Sequence, residues 1–154
     1  MAALAKEHGI SDIFQDNGAK TLQQLIYLNM KLLPGREGND SISESGTEWE
    51  MKSINLETSA KGFSTNHHTN HYIISKYRKV PWTFSIYYGI TLSEIYIMKP
   101  EMMEPIYSKW EEKLKTMNHL NNPKIPVSFV RTNGLMAFPI NMDAPFDPDS
   151  INRI

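Results

Sequence analysis

Cysteine is absent from this sequence of 154 residues. Without a thiol, the chain has no disulfide framework, no thiolate zinc site and no cysteine nucleophile, so its chemistry must use oxygen and nitrogen groups. Long hydrophobic runs are also absent. No stretch reaches about 18 consecutive apolar residues, and the opening MAALAKEHG lacks the features of a secretory signal. We therefore expect a protein without membrane spans that works in the cytoplasm.

An excess of charge of one sign is missing as well, because the formal net charge is -1 at pH 7. A chain that coats nucleic acid non-specifically needs many Lys and Arg residues, so this class is disfavoured. The charge is nevertheless divided: residues 37–57 carry six acids and one base, and residues 58–99 carry five bases, one acid and three histidines. Acids that hold cations beside bases that hold phosphates suit a metal-dependent enzyme acting on a polyanion, although ordinary patchiness would give the same division.

The length and a hydrophobic fraction of 40% are typical of a single globular domain, which we expect to cover residues 1–154. Apolar residues at helical spacing predict helices at about 19–33, 72–80 and 103–117. Runs rich in β-branched and aromatic residues predict strands at 47–54, 82–88, 90–98 and 127–130. Composition predicts a loop at 37–46 and a loosely held tail beyond Gly134. The class is therefore mixed α/β.

Asp40, Glu50 and Lys52 form the pattern Asp-x9-Glu-x-Lys. Side chains alternate along a strand, so Glu50 and Lys52 share one face of the predicted strand. Phosphodiester hydrolysis needs an activated water and a counter-charge for the developing phosphorane. Mg²⁺ on carboxylates supplies both, and a lysine ammonium adds a positive donor. Such spacing also occurs by chance on solvated strand faces, so the pattern alone is weak.

The sequence segments around this pattern are more specific than the pattern itself. Six stretches, in the same order, resemble the PvuII family of type II restriction endonucleases: GISDIFQDNGAK, LLPGREGND, EMKSIN, KGFSTNHHTN, KYRKVPW and NNPKIPV. The resemblance implies a restriction-endonuclease-like (PD-(D/E)XK) fold, in which a mixed central sheet is flanked by helices. It also implies a homodimer in a prokaryotic cytoplasm that cuts double-stranded CAGCTG at its centre to leave blunt ends, with Mg²⁺ as cofactor.

The resemblance also suggests how the chain is divided and which residues act. It implies a dimerisation region at 1–33, a catalytic and DNA-recognition region at 34–134 and an uncertain tail at 135–154. The expected metal ligands are Asp40, Glu50 and the main-chain carbonyl of Met51, with Lys52 as the third catalytic residue. Supporting residues are expected at Glu37 and Tyr77, although loop solvation for Glu37 and packing for Tyr77 explain these two nearly as well.

The resemblance places the DNA contacts in two reading stretches and at one residue near the start of the chain. The residues implied are Asp16, Ser64, Asn66, His67, His68, Asn121 and Asn122. Histidine and asparagine suit guanine and adenine edges in the major groove. From the residues alone, Asp16 is a helix start, the asparagines form a turn, and His67 or His68 with His71 has zinc spacing that lacks a clear fourth ligand.

Three departures from the family bear on these expectations. Asn66 stands where the family begins a run of three histidines, so part of the sequence preference is in question. The chain begins inside the family's first helix, from which we expect a weaker dimer, and similarity fades after Val130.

Two other functions stay open: a repair or junction nuclease, which would not need the reading stretches, and a DNA-binding module that has lost cutting. The reading stretches disfavour the first, and the intact catalytic residues disfavour the second.

Overall fold

The computed structural model describes residues 2–7, 18–33, 40–139 and 148. The chain divides into two compact units, one formed by Met1–Met51 with Pro139–Ile154 and the other by Lys52–Phe138. The expectation of a single domain over residues 1–154 stays a prediction. Each unit is described by itself below.

The first unit contains two helices and a short antiparallel sheet. Its helices are α1 (Ala2–Glu7) and α2 (Gly18–Leu28), and its strands are β1 (Met30–Leu32), β2 (Ser41–Ser43) and the first half of β3 (Glu48–Asn55). Strand β1 pairs with β2, and β2 pairs with β3, both antiparallel. Leu22, Leu25 and Leu28 are almost fully buried, so one apolar stripe of α2 faces the core of this unit.

Two predictions for this unit are wrong in detail. The predicted helix to Leu33 ends at Leu28, because Asn29 adopts a left-handed conformation (φ 53°) that stops a helix. The next three residues form β1. The predicted loop at 37–46 contains β2, which joins β3 through a turn at Gly46 (φ 92°). Composition predicted a loop over this segment but not the short strand within it.

The second unit is built on the rest of β3 and on β5 and β6, which were predicted. Its elements after β3 are β4 (Gly62–Phe63), α3 (His71–Tyr77), β5 (Trp82–Tyr88), β6 (Thr91–Met98), a 3-10 turn (Pro100–Met103), α4 (Glu104–Lys113), β7 (Ile125–Pro126), α5 (Val127–Asn133) and β8 (Leu135–Phe138). The strand order of its larger sheet is β3-β5-β6-β8, and β4 pairs with β7 in a small second sheet.

The strand directions make the larger sheet mixed. Strand β6 is antiparallel to both β5 and β8. Lys52, in the middle of β3, reaches the ring of Trp82 at the start of β5, and the N–H of Leu56, just after β3, donates to the carbonyl of Tyr87 near the end of β5 (2.8 Å). These contacts follow the same order along both strands, so β3 and β5 run in parallel. The predicted mixed α/β architecture is confirmed.

The core of the second unit lies between β5 and the helices α3 and α4. Trp82, Phe84 and Ile86 are fully buried and alternate along one face of β5. Tyr107 and Trp110 of α4 belong to the same cluster. Burial of each such side chain contributes about 1.5–3 kcal/mol. This core contains Tyr77 of α3, one of the predicted site residues.

The end of the second unit differs from the prediction. The expected strand at 127–130 is helix α5, in which buried Val127 and Val130 lie one helical turn apart. A short β-branched run does not distinguish the two periods. The chain beyond Gly134 is not a loose tail at its start, because β8 pairs with β6. Pro105 lies in the first turn of α4, where its missing N–H costs nothing.

Candidate functional site

Asp40 is fixed against strand β3 by two hydrogen bonds. Its main-chain N–H donates to the carbonyl of Trp49 (2.9 Å), and its side-chain Oδ2 accepts from the N–H of Met51 (2.9 Å). These two partners are the neighbours of Glu50 on either side. Asp40 is therefore held at the edge of β3 by the main chain on either side of Glu50.

Glu50 is buried, with only 7% of its surface exposed. Water cannot offset the charge of a buried carboxylate, so such a group needs compensation from its surroundings. The carboxylate of Asp40 accepts a hydrogen bond from the N–H of Met51, the residue that follows Glu50 in the chain. A cation bound by both carboxylates would supply such compensation.

Met51 contributes main-chain groups to the same edge of the strand. In an extended strand the N–H and C=O of one residue point to the same edge, and the N–H of Met51 points to Asp40. Its carbonyl therefore faces the same side. Among the described residues, no group of three His, Asp or Glu side chains could hold a metal. Two carboxylates and one carbonyl suit Mg²⁺, which takes few protein ligands and completes its shell with water and substrate phosphate.

Lys52 opens the second unit, two residues after Glu50 in the same strand. Its Nζ lies 6.0 Å from the centre of the Trp82 ring, at the outer limit of a cation–π contact. Tyr77 packs edge-on against the same ring, with 4.7 Å between centroids, and its carbonyl accepts from the hydroxyl of Tyr107. Trp82 thus lies near the ammonium of Lys52, and Tyr77 packs on Trp82. Sequence reasoning named Tyr77 but assigned no role to Trp82, although Trp82 ends the stretch KYRKVPW and begins a predicted strand.

Arg78 anchors the helix that carries Tyr77. Its guanidinium donates to both carboxylate oxygens of Glu104 (3.1 and 2.7 Å) and to Glu111, on α4. The hydrogen bonds from Arg78 hold the pKa of each of these carboxyl groups below its usual range. The same bonds raise the pKa of Arg78. The ion pairs fix α3 against α4 and so fix the position of Tyr77.

The two predicted reading stretches lie side by side in the second unit. Strands β4 and β7 pair directly, and Thr69 and Leu120 exchange two main-chain hydrogen bonds (2.9 and 2.8 Å). The N–H of Asn122 also donates to the carbonyl of Asn66 (3.0 Å). Residues 64–70 therefore lie against residues 120–126, which the sequence alone could not establish.

Several side chains of these stretches shape the backbone. Asn122, at φ 49°, accepts from the N–H of Thr65 through Oδ1 (2.8 Å). Asn66 accepts from the N–H of His68 through Oδ1 (2.9 Å), which closes a turn. The side-chain oxygens of Asn66 and Asn122 are thus engaged in holding the loops. We call the exposed part of these two stretches the reading surface. Its exposed candidate residues are Ser64, Asn66, His67, His68 and Asn121.

Two further residues of this surface were not predicted. Lys124 donates from Nζ to the Oγ of Ser64 (2.6 Å). The ring of His119 lies 4.8 Å from that of His68. Lys124 belongs to the stretch NNPKIPV but was not assigned a role, and His119 lies outside the quoted stretches; each meets its partner only through the pairing of distant segments. Asp16 and Glu37, which were predicted to act in DNA contact and near the cutting centre, lie outside the described residues.

Comparison with protein families shows what the chain is similar to. A family model described as Restriction endonuclease PvuII matches residues 1–138 of the 154-residue chain. The match includes every candidate residue named above. It also agrees with the mixed sheet and flanking helices of the fold. Within the described ranges, no helix is long and apolar enough to cross a membrane.

Proposed function

The chain belongs to the PvuII restriction endonuclease family, whose members are type II restriction endonucleases that hydrolyse phosphodiester bonds, and from that premise we propose its substrate and mechanism. It makes a double-strand cut at the centre of the palindrome CAGCTG, leaves blunt ends and depends on Mg²⁺. The observation that carries the proposal is the hydrogen bond from the N–H of Met51 to Asp40 (2.9 Å), because it holds a carboxylate beside the buried Glu50.

Asp40, Glu50 and the carbonyl of Met51 would hold the cation. Bound there, Mg²⁺ supplies positive charge against the scissile phosphate and lowers the pKa of the attacking water. Asp40 contributes a fixed oxygen, since its carboxylate is already oriented by the Met51 amide before any ligand arrives. Glu50 contributes a buried carboxylate, whose charge a cation would offset. This preorganisation avoids part of the cost of assembling the site.

Lys52 acts on the charge that develops during the reaction. Its ammonium donates to the non-bridging phosphate oxygens as the phosphorane forms and helps to orient the attacking water. The Trp82 ring below it limits where the flexible stem can lie. Tyr77 is a positioning residue in this proposal, because it packs on Trp82 and is itself buried.

His67 and His68 read base edges in the major groove, assisted by Asn121, while Ser64 contacts the phosphate backbone. Imidazole can donate to a guanine acceptor, and the amide of Asn121 suits adenine. Asn66 and Asn122 shape the two loops and use their remaining amide donors toward DNA. The exposure of Ser64, Asn66, His67, His68 and Asn121 and the pairing of the two stretches support this division of roles.

A homodimer is the active species, because a palindrome is read by a two-fold assembly and each strand needs its own catalytic centre. The region 1–33 is its proposed interface. Among the residues of this region that the structure describes, the large apolar side chains of Leu4 (38%) and Ile26 (40%) are partly exposed. Association of two chains would remove such surface from water.

Short duplexes with each strand labelled in turn test the proposal. Wild type should cut both strands of a CAGCTG duplex in Mg²⁺ and leave a duplex with one altered base pair intact. Glu50→Gln, which keeps the side-chain shape but removes the charge, should bind without cutting. Sedimentation on the uncut duplex should show two chains. Nicking of one strand by a monomer, or cutting that ignores the sequence, would contradict the proposal.

A further inference from the structure

The exposed rings of His68 and His119 lie 4.8 Å apart, tilted by 59°. They belong to different segments, since His68 lies in the loop before α3 and His119 lies between α4 and β7. The bridge between Thr69 and Leu120, the residues that follow them, brings the two histidines together. This pair is the only ring contact on the reading surface among the residues that the structure describes.

The backbone of His68 is fixed on both sides. Before it, its N–H donates to Oδ1 of Asn66 (2.9 Å). After it, Thr69 exchanges two hydrogen bonds with Leu120 (2.9 and 2.8 Å) and donates from its hydroxyl to the carbonyl of Asn66 (3.0 Å). The remaining freedom of His68 is therefore rotation of its side chain.

A base contact needs a ring nitrogen at one place, so free rotation of an exposed histidine weakens discrimination. An aromatic neighbour restricts this rotation, because a paired ring loses a favourable contact when it turns away. His119 is placed to provide such a neighbour. His67 lies in the same loop but has no ring partner among the described residues.

We propose that His119 is a positioning residue that holds the imidazole of His68 for base reading, and that it therefore helps to determine sequence specificity. This inference rests on the proposed function, because it requires His68 to read a base. It adds a residue from outside both reading stretches. His119 itself need not touch DNA.

The test is a double-mutant cycle on discrimination, measured as the ratio of binding to a CAGCTG duplex and to duplexes altered at one base pair, in Ca²⁺ to prevent cutting. His119→Ala should lower the ratio by about two- to ten-fold, the range that a lost aromatic contact implies. His119→Phe keeps a ring and should restore the ratio to within about two-fold of wild type. Thermal unfolding of each variant reports any loss of stability separately.

The second arm of the cycle separates positioning from a general structural role. In a His68→Ala background, His119→Ala should have no further effect, whereas in a His67→Ala background its effect should persist. An equal loss of binding to every duplex, or an effect that persists without His68, would overturn the inference while leaving the proposed function standing. If His68→Ala itself leaves discrimination unchanged, the reading role of His68 fails, and the inference fails with it.

Discussion

The hydrogen bond between Asp40 and Met51 allows folding and catalysis to be separated at one residue. Asp40→Ala removes both the charge and the acceptor, so the half-buried N–H of Met51 loses its partner. Loss of an acceptor in this setting costs about 1–3 kcal/mol of unfolding free energy. Asp40→Asn keeps a side-chain oxygen at the same place and removes only the charge. We expect Asn to restore much of the stability that Ala loses.

Activity should respond differently from stability. Both variants lose a proposed ligand of the cation, so both should cut more than about a hundred-fold more slowly than wild type. Loss of a residue that only supports a metal ligand typically lowers activity by about 10- to 100-fold, and loss of the ligand itself should exceed that. Chemical unfolding gives the stabilities, and single-turnover cleavage of a CAGCTG duplex gives the rates. If Asp40→Asn cuts within a few-fold of wild type, the charge of Asp40 is not needed, and its role is to join β3 to the preceding segment.

Three further outcomes follow from the same structure. Lys52→Ala should abolish cutting and leave duplex binding within a few-fold of wild type, as measured by titration with labelled DNA, because its charge is needed mainly when the phosphorane forms; a variant that cuts normally would make Lys52 an ordinary strand residue. Cutting should occur in Mg²⁺ or Mn²⁺, whereas Ca²⁺ should support binding alone and excess EDTA should stop the reaction, so activity that survives EDTA would exclude a metal-dependent site. Arg78→Ala should lower the melting temperature at pH 7. The pKa values of Glu104 and Glu111 are lower in the folded than in the unfolded protein. The contribution of these two carboxylates to the free energy of unfolding is therefore present above about pH 4.3 and is lost as the pH falls through their folded pKa values. The difference in melting temperature between wild type and Arg78→Ala should become smaller in acid, and a difference that is constant with pH would contradict this reasoning.

The pattern of residues along the chain predicted those strands whose apolar and aromatic residues are spaced as a strand requires. Alternation along β3 and the aromatic runs of β5 and β6 correctly gave strands. The end of α2 was missed because a single left-handed residue, Asn29, stops a helix whose apolar spacing continues beyond it. Helix α5 was missed because β-branched residues that are buried one turn apart also read as a short strand.

Some residues of the candidate site could be predicted from the sequence and others could not. Asp40, Glu50 and Lys52 could be named from their spacing and from the surrounding words, because they lie close together in the sequence. Trp82 and His119 could not, since Lys52 meets Trp82 across two strands and His68 meets His119 across two loops. A sequence motif consists of residues that lie close together along the chain. Such partners become visible only when the fold brings distant segments together.

The most direct test of the central claim is digestion of a plasmid that carries one CAGCTG site, followed by sequencing of the fragment ends. In Mg²⁺ the account predicts a single linear product whose blunt ends lie at the centre of the site, and no product in excess EDTA. A control plasmid with one base pair of the site altered should stay circular. Nicked circles, ends at scattered positions or linear product from the control plasmid would contradict a site-specific double-strand cut by this chain.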